Sequence, residues 1–390
     1  MSSLSWLDFS DAERRRALQI VELLGRPETR DELGLGSIRD AFAEAMFPGV
    51  STIQRRAAYF LLVPWTFRDV ERRYGGRDKA LEHTRRRELQ LIEALLAADD
   101  TDGVIGARVR KDLRQVPSMI YWSGLERWGI RRRSGSREQW SRSVSRSEEL
   151  ALDDDGQVVG RAASWWHTGL PDPPSGWPES ATLELRPDDA EYLRERIRER
   201  CPGTLLAILA ERREPWPTGD VHFVWDLAIP ELDPETMALV THARRFSELM
   251  HGASLLYNHA LAVATADEAR ESEYQAELLD WATREADRVS VPLEATKDLL
   301  RKLGSRHTDP TWRFVEGWHT LSADATAMLR DRRFVDLVRA RELAVKKRQA
   351  RLSFDAARET WRGAAGTGQL EYRWSSAQRQ LLDIIRVGAV

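Results

Sequence analysis

The stretch FPGVSTIQRRAAYFLLVPW, residues 47–65, decides the fold that this sequence predicts. Pro48-Gly49 ends a helix over residues 37–47, because a proline cannot donate the hydrogen bond that a helix interior requires. A serine then caps a further helix over residues 51–62, which Pro64 ends. Helix, short turn and helix in this order are typical of the helix-turn-helix motif of DNA-binding proteins.

The first turn of the second helix predicts contacts to nucleic acid. A recognition helix presents polar side chains and free backbone amides of its first turn to DNA. Here those candidates are Ser51, Thr52, Gln54, Arg55 and Arg56. A plain helical hairpin over residues 29–65 is the alternative, in which the arginines pair with Asp31, Glu32, Asp40 and Glu44.

A second candidate begins at Pro117, where a short helix is predicted to end near Ile130. The order that follows, three arginines and then Ser134-Gly135-Ser136, resembles a helix leading into a β-wing that rests on phosphates. Its predicted phosphate contacts are Arg131, Arg132, Arg133 and Arg137. The surrounding window 104–147 carries eleven basic and three acidic residues, a net charge of +8, which attracts polyanions.

Composition places the chain among ordinary globular proteins. It has 390 residues, 42% of them hydrophobic and 31% charged, with 59 Lys+Arg against 62 Asp+Glu. The single Cys201 cannot form an intramolecular disulfide, which favours a reducing compartment. No segment approaches the roughly 18 apolar residues of a membrane helix. The expected location is therefore cytoplasmic, without a membrane partner.

The remainder of the chain predicts helices with a few short strands. A capping box predicts a helix over residues 10–25, and Asp-Pro pairs at 233–234 and 309–310 predict helix starts. A long basic helix is expected over 322–351 and a final one over 377–386. Alternating apolar residues over 221–227 and 370–374 have the period of strands.

The predicted fold class is therefore mainly α with small β elements, that is, α+β. An N-terminal helix-turn-helix or winged-helix-like region is followed by a helical C-terminal half. Three domains are expected: a basic, winged-helix-like domain over 1–150, a linker with a small α/β segment over 151–230, and a helical domain with a short terminal strand over 231–390.

Common catalytic signatures are missing from the sequence. There is no G-x-x-x-x-G-K-[ST] phosphate loop, no H-E-x-x-H, no cysteine pair and no G-x-S-x-G. We therefore predict no catalytic residue, no metal site and no cofactor. Two enzyme alternatives stay open: a metal-dependent nuclease using Asp226 and Glu184, and a helical ribonuclease using Arg245 and His251.

Fifteen tryptophans are unusual for this length, and most are expected in the core. Trp128 and Trp140 alternate with arginines, so they are candidates for stacking on bases of single strands.

Several longer motifs resemble an uncharacterised bacterial family, one of the domains of unknown function, over nearly the whole chain. The motifs are SWLDFS at residues 5–10, TRDELGLGSIRDAF at 29–42, FPGVSTIQ at 47–54, VPW at 63–65, PSMIYW at 117–122, HGASLLYN at 251–258 and YRW at 372–374. The resemblance implies genes near those of phospholipase-D-like proteins and helicases in phage-defence neighbourhoods. It carries over no functional residue.

Together these observations predict a non-catalytic DNA-binding or scaffolding subunit of a prokaryotic anti-phage defence system. Its expected partners are nucleic acid, most of all DNA, and other defence proteins such as a helicase or a phospholipase-D-like nuclease. A nuclease and a purely protein-binding adaptor are the alternatives.

Overall fold

The structure is a computed structural model of the chain, and it describes residues 31–74, 79–107, 113–145, 164–216, 221–229, 232–286, 292–304 and 309–387. The helix predicted over residues 10–25 lies outside the described residues.

The described residues form α-helices joined by turns and short 3-10 segments. The helices are α1 (Gly36–Met46), α2 (Tyr59–Tyr74), α3 (Ala80–Ala97), α4 (Pro117–Arg127), α5 (Arg137–Ser145), α6 (Pro187–Arg200), α7 (Leu205–Ala210), α8 (Pro234–Ala264), α9 (Glu268–Ala286), α10 (Leu293–Lys302), α11 (Asp309–Leu321), α12 (Arg332–Lys346), α13 (Asp355–Arg358) and α14 (Trp374–Arg386). The 3-10 segments are Val224–Asp226, Ser322–Ala327 and Lys347–Gln349.

The fold is all-α, so the predicted α+β class with a winged-helix-like region is wrong. The ranges described above contain no strand, and their β pairing is limited to an isolated antiparallel bridge between Arg131 and Trp166. The expected wing does not form because Ser136 caps a helix: its Oγ accepts from the amide of Gln139 at 3.2 Å, and α5 begins at Arg137. The basic segment is a turn between two helices.

The helix predicted from Ser51 begins only at Tyr59 and runs through Pro64 to Tyr74. A helix that started at Ser51 would need backbone amides that here donate to an acceptor elsewhere in the fold. The hydroxyl of Tyr121 accepts from the amides of Arg55 and Arg56 at 2.7 and 3.2 Å. The segment is therefore an irregular turn, and the predicted helix-turn-helix geometry is wrong.

Both other predicted strands are also wrong. Around Val224–Asp226 the chain makes a 3-10 turn, because the carboxylate of Asp226 accepts from the amide of Phe223 at 2.9 Å. Near the C-terminus, Tyr372 and Arg373 have φ values of 54° and 69°, which lie outside the extended region. Helix α14 starts directly after them.

The predicted helix starts at the two Asp-Pro pairs are confirmed. Helix α8 begins at Pro234, and Asp233 Oδ1 accepts from the amides of Glu235 and Thr236 at 2.9 Å each. Helix α11 begins at Asp309. The long basic helix expected over 322–351 is divided instead, since Asp331 caps α12 by accepting from the amide of Arg333 at 3.0 Å.

The chain forms two compact units. Unit 1 comprises residues 1–42 and 238–370, in which α11 packs against α12, and both α9 and α11 pack against the 3-10 segment at 322–327. Unit 2 comprises residues 43–237 and 371–390, in which α2 packs on α3 and α4, and α14 packs on α6 and α7.

The HGASLLYN motif on α8 has a structural role in unit 1. Asn258 is fully buried and holds the backbone of Ala365 from both sides, donating to its carbonyl and accepting from its amide at 2.8 Å each. Gly252 lies against the ring of buried Trp281, whose Nε1 donates to the carbonyl of Glu248 at 2.8 Å. The motif therefore packs α8 against its neighbours.

We predict that Gly252→Ala lowers the free energy of unfolding. A Cβ at this position would lie 2.4 Å from atoms of the Trp281 ring, which is itself held in place. Overpacking of this kind costs about 1–3 kcal/mol. Urea denaturation measures the change.

Gly317→Ala on α11 is the matched control. Its Cβ would meet only the flexible end of Leu337 at 3.3 Å, and alanine favours a helix over glycine by up to about 1 kcal/mol. Equal destabilisation by the two substitutions would contradict the proposed packing.

Candidate nucleic-acid interface

The residues predicted to form the first turn of a recognition helix lie in the irregular turn before α2. Gln54 is 1% exposed and closes this turn, since its Oε1 accepts from the amide of Ser51 and its Nε2 donates to the carbonyl of Gly49, both at 3.1 Å. Thr52 is exposed, whereas Ser51 and Arg55 are half-buried. Gln54 therefore stabilises the turn with a side chain that is not accessible to a ligand.

Arg56 is held by two acidic side chains of unit 2. Its Nε lies 3.0 Å from both carboxylate oxygens of Asp383, and its Nη1 lies 2.6 Å from Asp100 Oδ2. The same Asp383 accepts from the amide of Ala57 at 2.8 Å. Burial raises the pKa of Asp383, and the nearby Arg56 opposes that shift. The guanidinium thus joins the turn to α14 and already has its charge balanced.

We predict that Arg56→Ala destabilises the protein much more than Arg55→Ala. The side chains of Arg56 and Asp383 are each 11% exposed, and removing one partner of such a pair costs about 3–5 kcal/mol. The Arg55 side chain makes no hydrogen bond or ion pair with the described residues, so its removal should cost about 0.5 kcal/mol or less. Urea unfolding of both variants checks this, and equal losses would contradict it.

Arg137, the last predicted phosphate contact, lies beside a buried carboxylate. Its Nη1 donates to Ser118 Oγ at 3.0 Å, and the amide of Ser118 donates to Glu88 at 2.7 Å. Glu88 is 1% exposed. Burial raises its pKa to about 7, although Ser118 and Arg137 oppose the shift. Arg137 therefore compensates an internal charge.

We predict that Glu88→Gln becomes more stabilising as pH rises. The folded-state pKa lies above the unfolded one, so the unfolded chain ionises first and the wild type loses stability between pH 4.5 and 7. The difference between variant and wild type should grow by roughly 2–3 kcal/mol over that window. Chemical denaturation at several pH values measures it.

Glu93→Gln, at an exposed position of the same helix α3, is the matched control for removing one carboxylate. If the Glu88→Gln difference were the same at pH 5 and pH 8, the assigned titration would be wrong.

Arg131 is the buried centre of the turn that follows α4. It is 2% exposed, and its guanidinium carbon lies 4.6 Å from the ring centre of Trp122. It donates to the carboxylate of Glu126 and to the carbonyl of Arg133. Ser134 Oγ donates to the other oxygen of Glu126 at 2.6 Å, and this bond is the main cause that lowers the pKa of Glu126. The turn after α4 is thereby built around a buried cation.

The two predicted stacking tryptophans belong to the core, so that prediction is wrong. Trp128 and Trp140 are both 0% exposed. Trp128 stacks on Phe60 with ring centres 3.8 Å apart, and Trp140 Nε1 donates to Glu71 Oε1 at 2.7 Å. These rings stabilise the framework that carries the turn.

A cleft of about 300 Å³ lies between the turn that follows α4 and the C-terminal part of α6. Two backbone hydrogen bonds of 2.8 Å join the segments at its edge. The amide of His167 donates to the carbonyl of Ile130, and the amide of Arg132 donates to the carbonyl of Trp165. The cleft is lined by Glu126, Gly129, Arg131, Arg132, Ser134, His167, Arg196, Glu199 and Arg200.

The lining of the cleft has a positive excess. It contains four arginines and two glutamates, a net charge of +2 while His167 is neutral. Arg131 pairs with Glu126, and Arg196 pairs with Glu199. The exposed guanidinium groups of Arg132 and Arg200 have no hydrogen-bond or ion-pair partner within the ranges that the structure describes. These two side chains are available to an anion.

The side chain of Arg200 packs closely against the backbone at Gly129. Gly129 has a φ of +67°, and a Cβ there would lie 2.9 Å from Arg200 Cδ. Glycine therefore satisfies the left-handed turn and also leaves room for the arginine.

His167 lies at the side of the cleft near Tyr192, whose hydroxyl is 3.4 Å from Nδ1. Burial lowers the pKa of His167, and the charges of Arg196 and Arg132 lower it further. The lowered pKa favours the neutral imidazole near pH 7, in which one ring nitrogen donates a hydrogen bond and the other accepts one.

Sequence reasoning found Arg131 and Arg132 but missed Arg196, Arg200 and His167. Residues four apart on a helix share a face, so the spacing of Arg196 and Arg200 was a usable signal. Neighbouring arginines make it ambiguous, since Arg194 on the same helix is 2% exposed and donates to the carbonyl of Ala210 at 2.9 Å.

Residues of the enzyme alternatives have other surroundings. Asp226 caps its own 3-10 turn, and Glu184 is exposed. Within the described part of the chain, no three or more His, Cys, Asp or Glu side chains are grouped to hold a metal ion. Arg245 forms a two-bond ion pair with Glu285, while His251 is half-buried on the same helix α8.

Fold and cleft thus define an all-helical protein with an arginine-lined cleft. The chain belongs to a family of unknown function, DUF6361, whose family model matches residues 1–388. No curated protein and no solved structure is significantly similar to it. Among the helices that the structure describes, none combines the length and apolar character needed to cross a membrane.

Proposed function

We propose that this chain is a non-catalytic nucleic-acid-binding subunit, with DNA as its main ligand, that binds backbone phosphates at the arginine-lined cleft. The carrying observation is the pair Arg132 and Arg200, two exposed guanidinium groups at one cleft without partners among the described residues. Arginine is suited to phosphate, because its planar donors bind two oxygens at once.

Neighbouring side chains support the proposal. Arg133 is exposed next to the cleft, and its guanidinium carbon lies 5.1 Å from the ring centre of Trp165. The ring restrains this side chain without neutralising its charge. A phosphate path over Arg132, Arg133 and Arg200 would thus include two of the phosphate contacts that the sequence predicts, Arg132 and Arg133.

The biological setting is part of the same proposal and rests on the resemblance of the sequence motifs. We propose that the chain acts within a prokaryotic anti-phage defence assembly, where a helicase or a phospholipase-D-like nuclease is its partner. The chemistry of cleavage then belongs to the partner, and this chain supplies binding or scaffolding.

We predict that the double variant Arg132→Glu/Arg200→Glu binds DNA at least about tenfold more weakly near physiological salt. Each lost phosphate contact should also reduce the slope of log affinity against log salt by about 1. Fluorescence anisotropy with labelled duplex and single-stranded DNA over a salt series measures both quantities, and a denaturing gel with Mg²⁺ present detects cleavage.

Arg313→Glu/Arg332→Glu is the matched control, since it makes the same charge change at exposed positions of unit 1. If both double variants weakened binding equally, the effect would come from the total charge of the protein, and the assignment of binding to the cleft would be wrong. Wild-type protein that ignores nucleic acid would favour the protein-binding adaptor, and cleaved DNA would favour a nuclease.

A further inference from the structure

The cleft is concave, which distinguishes it from a flat basic track. Its inner side carries the buried Arg131 and Arg196, which are 2% and 5% exposed, and its outer side carries the exposed Arg132 and Arg200. Charged donors at two depths suit a group that projects into the cleft. A strand that passes across a surface would reach only the outer pair.

Charge also distinguishes the possible phosphates. The lining has a net charge of +2 while His167 is neutral. An internal phosphodiester carries one negative charge, whereas a phosphomonoester carries about −1.5 to −2 at pH 7 and has three strong acceptor oxygens. The monoester therefore matches the cleft in charge and in its number of acceptors.

One buried donor in the lining is incomplete. Arg196 pairs with Glu199 through Nη2, but its Nε has no hydrogen-bond partner within the described ranges, although it is shielded from solvent. Buried donors in folded proteins are nearly always hydrogen-bonded, so this one is an exception. The lining therefore includes a buried guanidinium group whose hydrogen bonding is incomplete.

We infer that the cleft is a pocket for a phosphomonoester at the end of a nucleic-acid strand. A volume of about 300 Å³ is at the lower limit of small-molecule sites, enough for a phosphate with part of its nucleoside. Arg132 and Arg200 bind the terminal oxygens from the open side, Arg131 and Arg196 balance the charge from the inner side, and His167 donates a hydrogen bond. This inference rests on the proposed function.

The test compares one oligonucleotide in three forms, with a 5′-phosphate, with a 3′-phosphate and with hydroxyl groups at both ends. The full chain should bind one phosphorylated form at least about tenfold more tightly than the hydroxyl form at the same salt concentration. Arg132→Gln/Arg200→Gln should abolish that preference, whereas Arg313→Gln/Arg332→Gln should retain it. Inorganic phosphate and a nucleoside monophosphate, added as competitors, should reduce binding of the preferred form towards that of the hydroxyl form.

The outcomes separate this inference from the proposed function. Equal affinity for all three forms, together with weakening by the cleft charge reversal, would overturn the end-specific pocket and retain the phosphate interface. A preference that survives Arg132→Gln/Arg200→Gln would move the end-binding site elsewhere and also overturn the inference. No binding of any form would overturn both.

Discussion

The buried guanidinium of Arg131 is the constraint on which the candidate interface depends. A charge that is 2% exposed is stable only with partners, and here Glu126, the Arg133 carbonyl and the face of Trp122 supply them. Those contacts fix the turn after α4. They also orient the next side chain, Arg132, towards the cleft that α6 completes with Arg196 and Arg200.

Arginines in this chain have two contrasting uses. Arg56 and Arg137 balance internal carboxylates, Asp383 and the Glu88–Ser118 pair respectively, so their positive charge is already used inside unit 2. Arg132 and Arg200, by contrast, project from a fixed backbone with their donors free among the described residues. Structural arginines are therefore distinguished from those available to a ligand by their hydrogen-bond and ion-pair partners in the fold, more than by the charge of the surrounding sequence.

Much of the helical content could be predicted from local signals. The starts at Asp233-Pro234 and Asp309-Pro310 follow from capping chemistry that lies within a few residues. The start expected at Ser51 failed because the competing acceptor, the Tyr121 hydroxyl, comes from a residue 66 positions away from Arg55. The strands failed for local reasons, a capping carboxylate at Asp226 and positive φ angles at Tyr372 and Arg373, that an alternating pattern does not reveal.

The candidate site shows the same division. Charge density located Arg131 and Arg132, whereas the helix-turn-helix pattern selected Gln54 and Arg56, whose side chains instead hold structural hydrogen bonds within unit 2. Arg196, Arg200 and His167 meet those two arginines only in the folded chain, because a distant helix and a distant loop approach the same turn. A single sequence does not encode that approach in any local pattern.

A crystal structure of the full chain with a single-stranded oligonucleotide that carries a terminal phosphate would test the account most directly. The account predicts a phosphate within hydrogen-bonding distance of both Arg132 and Arg200, with Arg56 still paired to Asp383. An oligonucleotide bound at another surface, with no phosphate at these two arginines, would contradict it.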